Sequence, residues 1–324
     1  MIDLVAEQAP LGGLERWLHD PEVSEVMVNG GDVWVERQGR LQLVGAMRTG
    51  TVLSVIEHLL VPTGRRIDRS QPSVDARLAD GSRLCAVIPP VAVDGPALCI
   101  RRFAARVIPL DGFADADVCD LLGDLVARRC NVVVSGATSS GKTTLLNALA
   151  HEVPEHERIV TLEDVAELRL AHPHVVRLET RDATPDGVAA VTLAQLLRTA
   201  LRLRPDRLVV GEVRGEEALH LLQALNTGHD GSLCTVHANG GLDALHRLAS
   251  LVLQQCGNWP MAAVHQHVVR AIDAVVHLER QPDGRRSVTE VVEVTATPDP
   301  HTGVAVHHLV AEGRIVRRPT RHRA

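Results

Sequence analysis

Eight residues from Gly136 to Thr143 read G-A-T-S-S-G-K-T and fit the pattern G-x-x-x-x-G-K-[ST] of a phosphate-binding loop. In such a loop the backbone N–H groups turn inward and meet anionic oxygens at the positive end of the following helix. The expected cradle is Gly136, Ala137, Thr138, Ser139, Ser140, Gly141, Lys142, Thr143 and Thr144. Lys142 would carry charge to the β- and γ-phosphates, and the Thr143 hydroxyl would ligate Mg²⁺. The ligand implied is ATP with Mg²⁺. The pattern also arises by chance, so its context decides: the apolar run Val132–Val134 leads in and a helix-forming run, Leu145–Ala150, leads out.

Hydrolysis needs a metal and a group that orients water. The stretch "DRLVVGEVRGEE" (206–217) ends an apolar strand in Glu212, placed as the water-polarising base and, through water, as a metal contact. Gly211 stands where many ATPases with this loop carry a metal-linked Asp. A second acidic stretch, "TLEDVAEL" (161–168), offers Glu163, Asp164 and Glu167. Glu163 ends a neighbouring strand and is expected to reach the metal through its waters, whereas Asp164 and Glu167 read equally as a solvated helix start. In "NTGHDGSLCTVHAN" (226–239), His237 ends a strand and His229 lies in a Gly-flanked turn. A neutral imidazole at either place can exchange a hydrogen bond with the γ-phosphate or the attacking water. The chain has 17 histidines, so a structural role competes for each.

These groups must be brought together by the elements around them. Residues 1–103 are rich in hairpin signals at Asn29-Gly30-Gly31-Asp32, Gly39 and Asp80-Gly81, with a helix at Thr51–Leu60 between the two sets, and form a smaller α+β domain. Residues 104–113, "AARVIPLDGF", read as a linker. Residues 114–324 alternate strands (Asn131–Ser135, Arg158–Glu163, Val175–Glu179, Arg207–Gly211, Ser232–His237) with helices, notably Leu193–Leu203 and Glu216–Asn226. That alternation predicts a parallel sheet covered on both faces, the α/β layout of a RecA-like phosphate-loop domain. Ligands of such sheets bind outside the carboxyl ends of the strands, where the loop already lies. Beyond Gly257 come a helix (Met261–Ala271) and the strands "DAVVHLER", "SVTEVVEV" and "VAVHHLVAEG", joined by Pro-Asp-Gly and His-Thr-Gly turns. The final "RIVRRPTRHRA" reads as a loosely held basic tail.

At 324 residues the chain exceeds what one core usually fills, which supports two domains. With no Tyr, two Phe and three Trp, Leu, Val and Ala must build the core. A net charge of −6 argues against a general nucleic-acid coat. No apolar run approaches the ~18 residues of a membrane span, and the acidic start "MIDLVAEQAPLGG" lacks the layout of a secretory signal. Cys85, Cys99, Cys119, Cys130, Cys234 and Cys256 stand far apart, as thiols in a reduced cytosol do, and imply no metal site.

Taken together the motifs resemble the secretion-ATPase superfamily of type II secretion, type IV pili and type IV secretion. Its four boxes occur in order: the loop (136–143), the acidic box (161–168), the strand ending in Glu212 and the histidine box (228–239). "VDARLADGSRLCAVIPP", "IRRF", "VVRLETR", "ALRLRPDRLVVGEVRGEEA" and "NTGHDGSLCTVHAN" look most like the tight-adherence pilus branch, the ATPases called TadA and CpaF. The resemblance implies a cytoplasmic homohexamer, peripheral at the inner face of the cytoplasmic membrane, that hydrolyses ATP to drive pilus assembly or secretion through an inner-membrane platform protein. It also implies ATP between the two domains, which makes Arg101 and Arg102, with Arg83, candidates to neutralise γ-phosphate charge; Arg177 and Arg181 compete for that role. Two departures stand out. Ser139 replaces a glycine usual in relatives, at a cost if its φ is positive, and the first hairpin follows soon after residue 1, where many relatives carry a longer segment that often serves docking. Two other readings compete: a DNA-translocating ring, opposed by the acidic charge and few stacking aromatics, and a nucleotide-gated scaffold with little turnover.

Overall fold

The computed structural model describes residues 11–37, 39–102, 108–181, 183, 187–295, 303–321 and 323. The chain divides into two compact units, Met1–Arg106 and Val107–Ala324. Most of the acidic start, Phe103 of "IRRF", the first part of the expected linker (104–107) and the His301-Thr302 turn lie outside the described residues.

The first unit runs α1 (Glu15–Leu18), β1 (Val23–Asn29), β2 (Asp32–Arg37), β3 (Arg40–Ala46), α2 (Thr49–Leu60), β4 (Ser73–Arg77), β5 (Arg83–Val87) and β6 (Ala97–Arg101). Its strands form one sheet in the order β3-β2-β1-β6-β5-β4. Asn29 pairs with Asp32, so Gly30-Gly31 makes the two-residue hairpin turn its composition predicts. Helix α2 buries Val52, Val55, Ile56, Leu59 and Leu60, one stripe at helical spacing, in a core with Val26, Val28 and Ile100.

The second unit runs α3 (Ala116–Ala127), β7 (Val132–Gly136), α4 (Lys142–His151), β8 (Ile159–Glu163), β9 (Val175–Glu179), α5 (Leu193–Ala200), β10 (Arg207–Val210), α6 (Glu217–Leu225), β11 (Leu233–His237), α7 (Gly241–Gln255), α8 (Met261–Ala271), β12 (Ala274–Arg280), β13 (Arg286–Val294), β14 (Val306–Ala311) and β15 (Arg314–Ile315). Nine strands form a sheet in the order β15-β14-β13-β12-β7-β11-β10-β8-β9. From β12 to β9 every pair is parallel, and β13, β14 and β15 add an antiparallel edge. The parallel strands inside the sheet are largely apolar because both faces are covered. Leu208 and Val210 face the cluster made with α5, α6, α7 and α8, while Val209 faces the one made with α3 and α4. This is the α/β, RecA-like class expected.

Two expectations are corrected here, and an alternative left open at 164–170 is resolved. Linker residues Leu110 and Phe113 are buried in the core under α3 and α4, and the Phe113 carbonyl accepts from Val288 N at 2.9 Å, so this stretch belongs to the second unit. The basic tail is anchored. Arg321 donates to the carbonyls of Val269, Ile272 and Val294 at 2.9–3.1 Å, and Arg323 pairs with Asp273 and Asp230 at 2.6 and 2.7 Å. Buried acids and carbonyls needed donors, and the tail supplies them. Finally, residues 164–170 form no helix.

Candidate functional site

The sheet topology decides where chemistry can happen. Strand β7 runs straight into the loop, and α4 begins at Lys142. The turn is tight: Gly141 has φ 101° and Ser139 has φ 60°, so Ser139 holds the left-handed conformation that a side chain disfavours. Lys142 Nζ donates to the carbonyls of Gly136 and Ala137 at 3.1 and 2.9 Å, folding back along its own loop. The Ser140 hydroxyl is buried with no protein partner among the described residues. An open cavity of about 370 Å³ lies beside the loop, lined by Thr138, Ser140, Asn239 and the end of β12.

Parallel pairing puts the next groups at the same edge. His237, exposed, stands level with Gly136 on the neighbouring strand. Glu212 follows β10 with its side chain 38% exposed, and Arg214 lies 4.0 Å from it. Thr235 Oγ1 donates to the Gly211 carbonyl at 2.6 Å and Val213 N to the Thr235 carbonyl at 2.8 Å, which fixes the backbone on both sides of Glu212.

Glu163 ends β8 and is only 2% exposed. Its Oε1 accepts from the backbone N–H of Glu167 and Leu168, both at 2.8 Å, while its Oε2 has no protein partner among the described residues. Burial pushes the carboxyl up to about 7, against the pull of those two N–H groups and of Arg177. The bend that donates these bonds explains why Glu167 starts no helix. Gly211 now has a steric reason: a Cβ there would stand 3.0 Å from Glu163 Cγ. An Asp at 211 would compete for the space that Glu163 fills.

Asp164 pairs with Arg214, which holds it beside the strand end and away from the role of a free acid. Arg177 donates to the Ala166 carbonyl at 3.3 Å, next to the acidic box, and Arg181 to the Ala189 carbonyl at 3.1 Å. His229 is the correction among the site residues. It precedes β11, whose length of about 16 Å separates it from the edge where His237 stands. Its Nδ1 lies 3.2 Å from the Ala224 carbonyl at the end of α6. A residue that enters a parallel strand sits at its amino end, opposite the loop within this chain.

The first unit arranges its arginines differently from one another. Arg101 pairs in register with Arg83, and Arg83 with Arg77, making a row of three arginines across β6, β5 and β4. Glu25 flanks the row, 3.9 Å from Arg101. Arg102 is instead a structural donor to the carbonyls of Asp20 and Val23.

One residue carries no sequence motif. His277 on β12 is 5% exposed, its Nδ1 is 2.9 Å from Ser135 Oγ directly below the loop, and burial holds its ring below the ordinary histidine range. Only the pairing of β12 with β7 reveals it.

The donor set can be tested against the group it is expected to hold. Mg²⁺ takes hard oxygen ligands and keeps several waters. The hydroxyl of Thr143 and the carboxylates of Glu163, with its orphaned Oε2, and Glu212 are of that kind and at one edge. They fit.

Comparison with known proteins agrees with this picture. The family model described as "Type II/IV secretion system protein" matches residues 7–316. The conjugal transfer protein TrbB of Rhizobium radiobacter is 37% identical over 295 residues, covering 88% of this chain and 87% of the relative. The type IV secretion system protein PtlH of Bordetella pertussis is 36% identical over 330 residues, covering 90% and 96%. Among solved structures, the VirB11 ATPase from the Brucella suis type IV secretion system in complex with sulphate is 29% identical, covering 93% of this chain and 96% of that one with a TM-score of 0.50. The chain belongs to the type II/IV secretion system protein family.

Proposed function

We propose that this member of the type II/IV secretion family is an ATP-hydrolysing motor subunit that powers transport or fibre assembly. The observation that supports it most is the gathering of the Lys142 loop, His237, Glu212 and Glu163 at one edge of a single parallel sheet. Each residue then has a role. The loop N–H groups and Lys142 hold the phosphates, with Lys142 exchanging its carbonyl bonds for phosphate oxygens. Mg²⁺, held by the Thr143 hydroxyl and through water by Glu163 and Glu212, would neutralise phosphate charge. Glu212, two strands and roughly 10 Å from β7, orients the attacking water and accepts its proton. His237, one strand from the loop, hydrogen-bonds the terminal phosphate or that water. Glu163 stands three strands away, too far for direct contact, and acts through the waters between.

The same reading carries the finer proposals: a homohexamer, peripheral at the inner face of the cytoplasmic membrane, working on an inner-membrane platform protein in a pilus or secretion machine of the tight-adherence or type II/IV type. Among the described residues no helix is long and apolar enough to cross a membrane. Arg101, with Arg83 beside it, is the proposed γ-phosphate arginine of the first unit; Arg102 serves the same edge by fixing its backbone. Relatives named for conjugal transfer keep the DNA-translocating reading in play, and a salt-dependent DNA titration separates it.

The test is Glu212→Gln, which keeps size and hydrogen bonding but removes the base. ATP should bind with near wild-type affinity and stay uncleaved. An affinity loss equal to the rate loss would make Glu212 a binding residue and overturn its assignment.

A further inference from the structure

The hairpin of β12 and β13 lies next to the loop strand, yet only its β12 side lines the cavity described above. Its turn is built by Asp283 and Gly284: Gln281 N donates to the Arg285 carbonyl at 2.7 Å, and Arg285 pairs with Asp283 at 2.6 Å. The next residue, Arg286, points elsewhere. A Cβ placed on Gly141 would stand 2.6 Å from Arg286 Cδ, 3.2 Å from its Nε and 3.5 Å from its Nη1. The guanidinium stem therefore lies directly on the last glycine of the phosphate loop, where α4 begins. A side chain at 141 would have to displace it, besides adopting an unfavourable φ of 101°.

That placement brings two cations to one end of the loop. The start of a helix carries partial positive charge and disfavours cations, and Lys142 is the very next residue. An arginine brought onto this spot by a different strand adds a second cation beside Lys142, within reach of an anion held by the loop. A guanidinium fork matches phosphate oxygens two at a time. The N–H groups at this end of the loop cradle the α- and β-phosphates, while Lys142 reaches the β and γ.

We propose that Arg286 is a nucleotide-binding residue, supplied by the same unit as the loop and directed at the α- and β-phosphates. This rests on the ATP-binding reading above and deepens it: it places one cation that ADP and ATP share, separate from any arginine that senses the γ-phosphate. Product and substrate then depend on Arg286 alike, and the residue contributes binding without discriminating the transition state.

The experiment measures ADP and ATP affinity by titration calorimetry, and turnover by phosphate release, for the intact chain and for Arg286→Ala, Arg286→Gln, Arg286→Lys, Arg285→Ala and Lys142→Ala. Arg286→Ala and Arg286→Gln should weaken ADP and ATP equally, by about 10- to 100-fold, raising KM while kcat changes less than threefold. Arg286→Lys should recover part of the affinity, and Arg285→Ala, confined to the turn, should leave it unchanged. The Gln and Lys variants, checked for wild-type thermal stability, cover the case that Ala unfolds the hairpin. ADP affinity unchanged in a folded Arg286 variant overturns the proposal, as does a loss confined to ATP. If the wild-type chain binds neither nucleotide, the ATP-binding reading itself fails and this proposal falls with it; if it binds both and Lys142→Ala alone weakens them, only the assignment of Arg286 is wrong.

Discussion

Replacing Glu163 by Gln should make the protein more stable, and increasingly so as pH rises. The carboxyl is 2% exposed, and burial raises it from its ordinary value of 4.5 to about 7. Between those two values the folded chain keeps a proton that the unfolded chain has lost. Stability present below pH ~4.5 is therefore lost as pH climbs through 7, by about 1.4 kcal/mol per pH unit, or about 3 kcal/mol in all. Gln keeps the shape and the carbonyl oxygen that accepts from Glu167 and Leu168, but never ionises. Wild type and Glu163→Gln should match near pH 5 and differ by about 3 kcal/mol at pH 8, a Tm gap of roughly 6–12 °C for a unit of this size. Thermal unfolding of the nucleotide-free chain at the two pH values reads this directly. A gap that is equal at pH 5 and pH 8 would refute the claim that a buried carboxyl is held against ionisation here.

Three more outcomes follow from the same geometry. Ser139→Gly relieves a left-handed residue at a cost of about 1–2 kcal/mol, offset in part by glycine's backbone entropy, so Tm should rise by a few degrees; a fall would mean the hydroxyl is needed. Gly211→Ala presses on Glu163 Cγ and should cost about 1–3 kcal/mol by chemical denaturation, together with much of the turnover, whereas an unchanged denaturation midpoint would show the contact to be slack. Arg323→Ala removes one of the two arginines on the buried Asp273 and the partner of Asp230, and with Arg321 still in place should cost about 1–3 kcal/mol; a change within 0.5 kcal/mol would return the tail to the loosely held state its composition suggests.

How far the sequence reached varies with the kind of signal. The loop, the strand ending before Glu212 and the strand carrying His237 are legible because short apolar runs between turn residues have few ways to fold. Once they are parallel neighbours, their ends share an edge automatically. His229 is misread because a motif lists residues without saying which end of a strand each belongs to. The tail is misread because its partners, Asp273 and Asp230, are distant acids that composition cannot pair with it. Gly211 looks like a defect until Glu163 is seen to pass beside it. His277 and Arg286 carry no pattern at all, since their roles arise from which strand lies next to β7, and only the sheet order supplies that.

The central claim is that the loop at 136–143 binds ATP and that this binding leads to hydrolysis. Phosphate release from the intact chain at saturating ATP and Mg²⁺, set beside Lys142→Ala of confirmed fold, tests it most directly. The account predicts sustained turnover by the wild-type chain and none above background from the variant. Equal release from both, or none from either, would contradict it.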